Sequence, residues 1–346
     1  MKSSFKNIIA KSIKPFIIAE ISANHDGSLE KAKQMITVAK KSGADAVKIQ
    51  SYEAESMTIN SSKSDFRIKH GIWKGHNLYD LYRSAKTPFS WHESLFNHAK
   101  KEGIIIFSTP FDDKAVDLLD NLRVPFFKIA SFEITDLPLI EYVASKKKPI
   151  LLSTGMSNEK EIGEALEVIK SKGVSEVLLF HCISAYPAKV EEYNLNMIKT
   201  LEKKFKTLVG LSDHTIGNEA ALAAIALGAV AIEKHFKVNK DDKGPDALFS
   251  SDPDEFKKLI SKTNQVWKGL GSGGYQRASE EKKNIVFRRS LYFVKDLDKG
   301  KMISKGDVRS VRPGYGLKPK YLKKVMTMKT KKKVSVGDKV TWSNIE

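Results

Sequence analysis

Two short strings put metal-capable side chains at the ends of apolar runs. "GLSDHT" closes one run with Ser212, Asp213, His214 and Thr215, and "IEKHF" closes another with Glu233 and His235. Between them lies "NEAALAAIALG", a helix-like stretch stopped by glycine. If the two runs are adjacent parallel strands, about 4.8 Å apart, His214 and His235 are close enough to share one metal ion. Two histidine ligands leave positions open for water and substrate, which a catalytic metal requires. Imidazole does not choose sharply among first-row metals, so the ion's identity stays open. The alternative is that each histidine is a hydrogen-bonded core residue.

Lys48 in "AVKIQ" and Lys128 in "FFKIA" each interrupt a strand pattern. Burying an ammonium is costly unless it meets an anion. The functional reading is a lysine pair that holds phosphate or carboxylate with help from hydroxyls. The alternative is that both side chains point outward and snorkel between helices. Other strand ends are polar as well: Glu20, Gln50, Thr109, Ser131, Ser153, Ser184, Tyr186 and Ser212. Cys182 follows His181 on one strand, so the two point to opposite faces, and Cys182 reads as a packing residue.

The elements that must position these groups recur along the chain. Eight strand-length apolar segments begin at "FIIAE" (16–20) and end at "AVAIEKHF" (229–236), with helical patterns such as "NEKEIGEALEVIKSKG" between them. Eight alternations fit a (β/α)8 TIM barrel, whose reacting groups sit at the C-terminal ends of the strands. A doubly wound open sheet is the alternative, but eight is the number that closes. The barrel is expected over 1–271, a linker over 272–289, and a small β-rich domain over 290–346. Residues 51–90 form an aromatic-rich insertion expected to lie ordered over the barrel mouth. In the tail, "GKMISKGDV" repeats as "GDKVTWSNI". Ser304 and Thr341 are expected to cap short helical turns, with Asp307 and Asn344 three residues on.

Composition narrows the classes. The chain has 346 residues, 41% hydrophobic and 29% charged, with a net charge of +18 and one cysteine. No apolar run approaches the ~20 residues of a membrane helix. The first twenty residues lack a signal-peptide layout, and a lone cysteine fits a reducing cytoplasm. The lysine clusters "SKKKP" and "KTKKKV" lie in connections without interleaved aromatics. They read as solvated faces rather than a nucleic-acid surface. The rivals are a Schiff-base aldolase, a basic protein binding nucleic acid or polysaccharide, and a carbohydrate- or ice-binding tail.

"IAEISANHDG", "GADAVKIQ", "FFKIASFEI", "LLSTGMS", "GLSDHT", "IEKHF" and "GPDALFSSDPDEF" together resemble, in order, the motifs of the bacterial sialic acid synthase family. The tail around "VRPGYGLKP" resembles that family's antifreeze-like (SAF) domain. The resemblance implies condensation of phosphoenolpyruvate with an N-acylated amino sugar to a nine-carbon 2-keto acid and phosphate. It also implies a divalent metal, Mn²⁺ or Mg²⁺, and a domain-swapped homodimer. Within the family, "YDLYRSAKTPFSWHESLF" and "CISAYP" resemble the pseudaminic acid synthases, which use 2,4-diacetamido-2,4,6-trideoxy-altrose. N-acetylneuraminate and legionaminic acid synthases are the alternatives. Carried over by position, Lys48, Thr109, Lys128, Ser131, Ser153, Ser184 and Ser212 would hold phosphoenolpyruvate. His214 and His235 would bind the metal. Gln50, Tyr186 and Asp246 would position the sugar, and Arg312 would reach the partner's site. Glu20, which the resemblance also sets beside the sugar, and Glu233 are the acid/base candidates.

Overall fold

The structure, a computed structural model, describes residues 14–346. The leader-peptide reading concerns mostly residues that lie outside this range. The described residues fall into two compact units that divide between Gly271 and Ser272.

In the first unit eight strands form one sheet: β1 Phe16–Glu20, β2 Ala46–Ser51, β3 Ile105–Pro110, β4 Phe127–Ile129, β5 Ile150–Ser153, β6 Val177–His181, β7 Leu208–Asp213 and β8 Ala231–His235. Every ladder is parallel and the order runs β3-β2-β1-β8-β7-β6-β5-β4. β3 packs beside β4, which closes the sheet into the expected barrel. Helices return the chain between strands, and their starts are set by side-chain caps. Asp112 and Asp136 accept from backbone N–H groups, and Asn158 with Glu161 and Asp252 with Glu255 form reciprocal capping boxes.

Side chains alternate across each strand. One set, including Ile17, Ala19, Val47, Ile129 and Leu152, packs against the helices. The other, including Phe16, Ile18, Ala46, Phe107, Phe126, Leu151 and Phe180, plugs the barrel interior. The insertion after β2 folds into helices Ala54–Met57 and Leu78–Ala85 and a short turn at Ser64–Phe66. The Trp73 indole N–H donates to the carbonyl of Pro245 at 3.2 Å, tying the insertion to the loop beyond β8. No helix among the described residues is long and apolar enough to cross a membrane.

The second unit contains an antiparallel pair, β9 Ser290–Phe293 with β10 Val308–Val311, and a core of Leu291, Phe293, Ile303, Val308, Val325 and Val340. Residues 272–289 include a short helix, Ser279–Lys283. The helical turns expected after Ser304 and Thr341 do not form. Instead Ser304 N–H donates to Asp307 Oδ2 (2.8 Å) and Thr341 N–H to Asn344 Oδ1 (2.9 Å), each closing a tight turn. Each turn leads at once into extended pairing, at β10 and at the bridge from Ile345 to Thr330, so no helix can propagate.

Candidate active site

The barrel's apolar plug ends one residue pair below the strand ends. The Phe107 and Phe126 rings lie 4.6 Å apart within it. Two residues further along each strand the inward positions turn polar: Ile18 gives way to Glu20, Ala46 to Lys48, Phe126 to Lys128 and Ala231 to Glu233. Register sets these groups side by side, with Glu20 opposite both Lys48 and His235, and Ser212 opposite Glu233. Phe180 floors the layer, with the Lys128 ammonium 4.4 Å from its ring centroid. A side chain at Gly210 would place its Cβ 2.8 Å from that ring, so glycine is needed there.

Both lysines point inward and are buried, which decides against the snorkelling alternative. Glu233 spans them: Oε2 lies 2.9 Å from Lys128 Nζ and Oε1 lies 3.3 Å from Lys48 Nζ, while Ser212 Oγ donates to Oε1 at 3.0 Å. Burial acts to raise the Glu233 pKa, but the two ammoniums outweigh it and hold the carboxyl below its ordinary range. Glu20 differs. Burial raises it to about 7, against the opposing pull of Lys48 and with the push of Glu233. Its Oε2 is 3.0 Å from Lys48 Nζ, an ion pair without a directed hydrogen bond, and Gln50 donates to its Oε1 at 3.2 Å. Burial depresses Lys128, whereas Glu20 and Glu233 outweigh burial at Lys48 and raise it.

The imidazoles of His214 and His235 meet edge to face, with ring centroids 5.5 Å apart. His214 Nδ1 lies 2.8 Å from the Ile183 carbonyl. A carbonyl only accepts, so Nδ1 carries the proton and Nε2 keeps its lone pair. His235 Nδ1 is buried without a hydrogen-bond partner, 3.8 Å from Asp246 Oδ2. Burial lowers both rings, His214 to about 4, so both are neutral near pH 7. Among the described residues no group of three or more His, Cys, Asp or Glu forms a ready-made metal cage. Two neutral imidazoles, one with a lone pair on His214 Nε2 held only by a long 3.5 Å contact with Ser212 Oγ and one with an unpartnered His235 Nδ1, beside a carboxylate, nevertheless fit a divalent cation that keeps open positions.

A cavity of about 400 Å³ opens above this layer. Its walls include Lys48, Gln50, Thr109, Lys128, Ser131, Ser153, Ser184, Tyr186, Ser212, His214, Glu233, His235 and Asp246. Glu20 joins the same network through Gln50 and Lys48. Arg312 belongs to the second unit, where it is exposed just beyond β10. Cys182 is buried with Sγ 3.0 Å from Ser131 Oγ, and both crowd Gly155, whose absent Cβ would fall 2.3 Å from Ser184 Oγ.

Ser22, Glu133 and Lys234 were not anticipated as members of the site or its frame, and Asp213 stood out in "GLSDHT" only as a polar residue closing its strand, without a role. Ser22 donates to Asp246 and accepts from Gln50 at 3.0 Å. It sits in "EISANHDG", two residues past the strand, where a turn-forming serine is unremarkable. Glu133 lines the cavity, and burial raises its carboxyl to about 7. Its exposed-looking string, "SFEI", gives no hint of that. Asp213 and Lys234 point away from the cavity and pair with each other at 2.7 Å. Alternation along β7 and β8 was the available signal for these two.

The chain matches the NeuB family over residues 35–275 and the SAF domain over residues 288–346. It is 45% identical over 325 residues to pseudaminic acid synthase of Campylobacter jejuni, covering 94% of this chain and 95% of that one. It is 41% identical over 308 residues to N,N'-diacetyllegionaminic acid synthase of the same organism, covering 88% and 92%. The crystal structure of N-acetylneuraminic acid synthetase from Leptospira borgpetersenii, in complex with citrate, superposes with a TM-score of 0.71 at 33% identity, covering 79% of this chain and 90% of that one. A barrel with this polar layer, matched at this length and identity, places the chain in the NeuB family.

Proposed function

We propose that the protein condenses phosphoenolpyruvate with 2,4-diacetamido-2,4,6-trideoxy-altrose, giving a nine-carbon 2-keto sugar acid and inorganic phosphate. The observation that carries this reading is the inventory of one cavity. Two buried lysines and a set of hydroxyls lie at its base, two neutral imidazoles lie at its side, and Ser184 Oγ, His235 Nδ1 and Glu133 Oε2 are buried there without hydrogen-bond partners. Buried polar atoms without partners call for a polar occupant.

In this mechanism Lys48 and Lys128 offset the charge of phosphate and carboxylate. Thr109, Ser131, Ser153, Ser184 and Ser212 hydrogen-bond the same anion. Gln50, Tyr186 and Asp246 orient the open-chain sugar. His214 and His235 would hold a divalent cation, Mn²⁺ or Mg²⁺; when bound, it supplies Lewis-acid polarisation of a carbonyl oxygen. C3 of phosphoenolpyruvate bonds to the aldehyde carbon, and the aldehyde oxygen takes a proton, for which Glu20 is the donor. Water adds at C2 and loses a proton, with Glu233 beside it by position. The tetrahedral intermediate then expels phosphate by C–O cleavage. Phosphoenolpyruvate labelled with ¹⁸O at the bridging position should send its label into phosphate, in assays run against a panel of N-acylated amino sugars with products read by mass. Label found in the keto acid would refute C–O cleavage, and turnover confined to another sugar would move the chain to the legionaminate or neuraminate activity.

The working form in this reading is a cytoplasmic homodimer in which Arg312 of one copy contacts an acyl group in the other copy's cavity. The support is chemical: Arg312 is exposed and has no ion pair among the described residues. Mixing an Arg312→Ala chain with a Lys128→Met chain should restore up to about one quarter of wild-type turnover, the share expected if one intact site forms per heterodimer and half the dimers are mixed. No rescue in verified heterodimers would count against shared sites.

A further inference from the structure

The helix Leu78–Ala85 is unlike the barrel helices. The barrel helix Leu29–Lys41, for example, buries Ala32, Met35, Ile36 and Ala39 against the sheet. Leu78–Ala85 is strongly amphipathic yet contains no buried residue. Its apolar positions, Leu78, Leu81, Tyr82 and Ala85, fall at i, i+3, i+4 and i+7, one face of a helix. All four line the cavity. A helix with this pattern normally buries that face against protein. Here the face looks into the space above the lysine and imidazole layer. Met57, Ile68 and Trp73 extend the same wall. The insertion therefore brings no charged side chain to the cavity, while the barrel brings nearly all of its polar ones.

The two ends of the cavity thus differ in chemistry. The barrel end suits anions and a carbonyl oxygen. The insertion end is apolar at Met57, Ile68, Leu78, Leu81 and Ala85; its polar atoms are the phenol hydroxyls of Tyr52 and Tyr82 and a Trp73 N–H already given to the Pro245 carbonyl. We infer that the Leu78–Ala85 face is the specificity element for the distal end of the sugar, and that it selects a terminal methyl over a hydroxymethyl group. This rests on the reaction proposed above. The aldehyde carbon must lie at the barrel end, where C–C bond formation takes place. The far end of the carbon chain then projects toward Leu78 and Leu81. A methyl there displaces water from apolar surface, whereas a hydroxyl loses its water partners without replacement. Apolar pockets reject an added hydroxyl only moderately, by about 10²-fold at most.

The test compares two sugars that differ only at C6, the 6-deoxy 2,4-diacetamido hexose and its 6-hydroxy counterpart, by kcat/KM with phosphoenolpyruvate saturating. The wild-type chain should prefer the 6-deoxy sugar by roughly 10- to 100-fold. Leu81→Gln keeps a good helix former but supplies an amide, and should bring the ratio to within about threefold of unity, chiefly by losing turnover of the 6-deoxy sugar. Leu78→Gln places the same amide one turn earlier and should act alike; it also serves if Leu81→Gln does not fold by circular dichroism. Leu81→Ala, which removes apolar area without adding polarity, should fall between. A wild-type ratio near one overturns the inference. So does a folded Gln variant that slows both sugars equally, since the wall would then only close the site. Failure to turn over either sugar while another amino sugar reacts would overturn the proposed substrate itself, a result visible separately in the wild-type chain.

Discussion

His214→Ala combined with His235→Ala is expected to yield a folded barrel that retains no stoichiometric divalent metal and has lost at least about 10³-fold in kcat. Lewis-acid assistance to a carbonyl is worth several kcal/mol, and each 1.36 kcal/mol is a factor of ten. The fold should tolerate the change. His214 makes one hydrogen bond through its ring proton, to the Ile183 carbonyl, and His235 Nδ1 makes none. An orphaned carbonyl costs about 1–3 kcal/mol, and water entering from the cavity can satisfy it. Metal content of the purified proteins by mass spectrometry, turnover with added Mn²⁺, and circular dichroism together decide the matter. A double variant that stays metal-replete and active would sink the assignment of these two residues.

Much of this site was legible because barrel geometry turns a one-dimensional pattern into a place. Period-two alternation along "AVKIQ" and "FFKIA" put Lys48 and Lys128 on the face opposite Val47 and Phe127, and the structure has both lysines inside the barrel. The partner of an inward lysine is a different kind of fact. Glu233 bridges the pair across the barrel, 105 residues from Lys128 in sequence, and no local pattern encodes such a contact. The same holds for the insertion. Its aromatic content argued for order, but the pairing of its helix face with the cavity depends on how a loop of irregular turns folds back, including the Trp73 bond to Pro245. The tail failed for a local reason. Asp307 and Asn344 do return hydrogen bonds to the residue three positions earlier, as in a capping box, but the segments that follow lack helical apolar spacing and join strands.

Lys234→Met is expected to destabilise the barrel by about 3–5 kcal/mol, the cost of leaving a buried carboxylate without its partner. Lys234 and Asp213 are almost completely buried, on the side of β7 and β8 that faces the helices. Lys234 Nζ also donates to the Thr215 carbonyl at 2.8 Å, and Asp213 Oδ1 accepts from Thr215 N–H at 2.9 Å and from its hydroxyl at 2.7 Å. Asp213 is therefore neither a helix cap nor a partner of the His214 ring. It fastens the chain on either side of His214, and Lys234 precedes His235. The pair sits behind both imidazoles without touching the cavity. A volume-matched replacement of the whole pair, Asp213→Leu with Lys234→Met, should recover part of the lost stability, because two apolar side chains avoid the desolvation cost. Recovery should stop short of wild type, since Thr215 keeps two donors that have lost their acceptor. Urea unfolding followed by barrel tryptophan fluorescence measures both variants, and the double-variant cycle isolates the coupling. Turnover of the folded fraction separates the roles. A pair that only holds the backbone should lose activity through weaker metal retention, with KM for phosphoenolpyruvate unchanged. A raised KM with metal fully retained would instead place Lys234 among the groups that act on the substrate. Simple additivity of the two substitutions would show that the ion pair contributes no coupling to the fold.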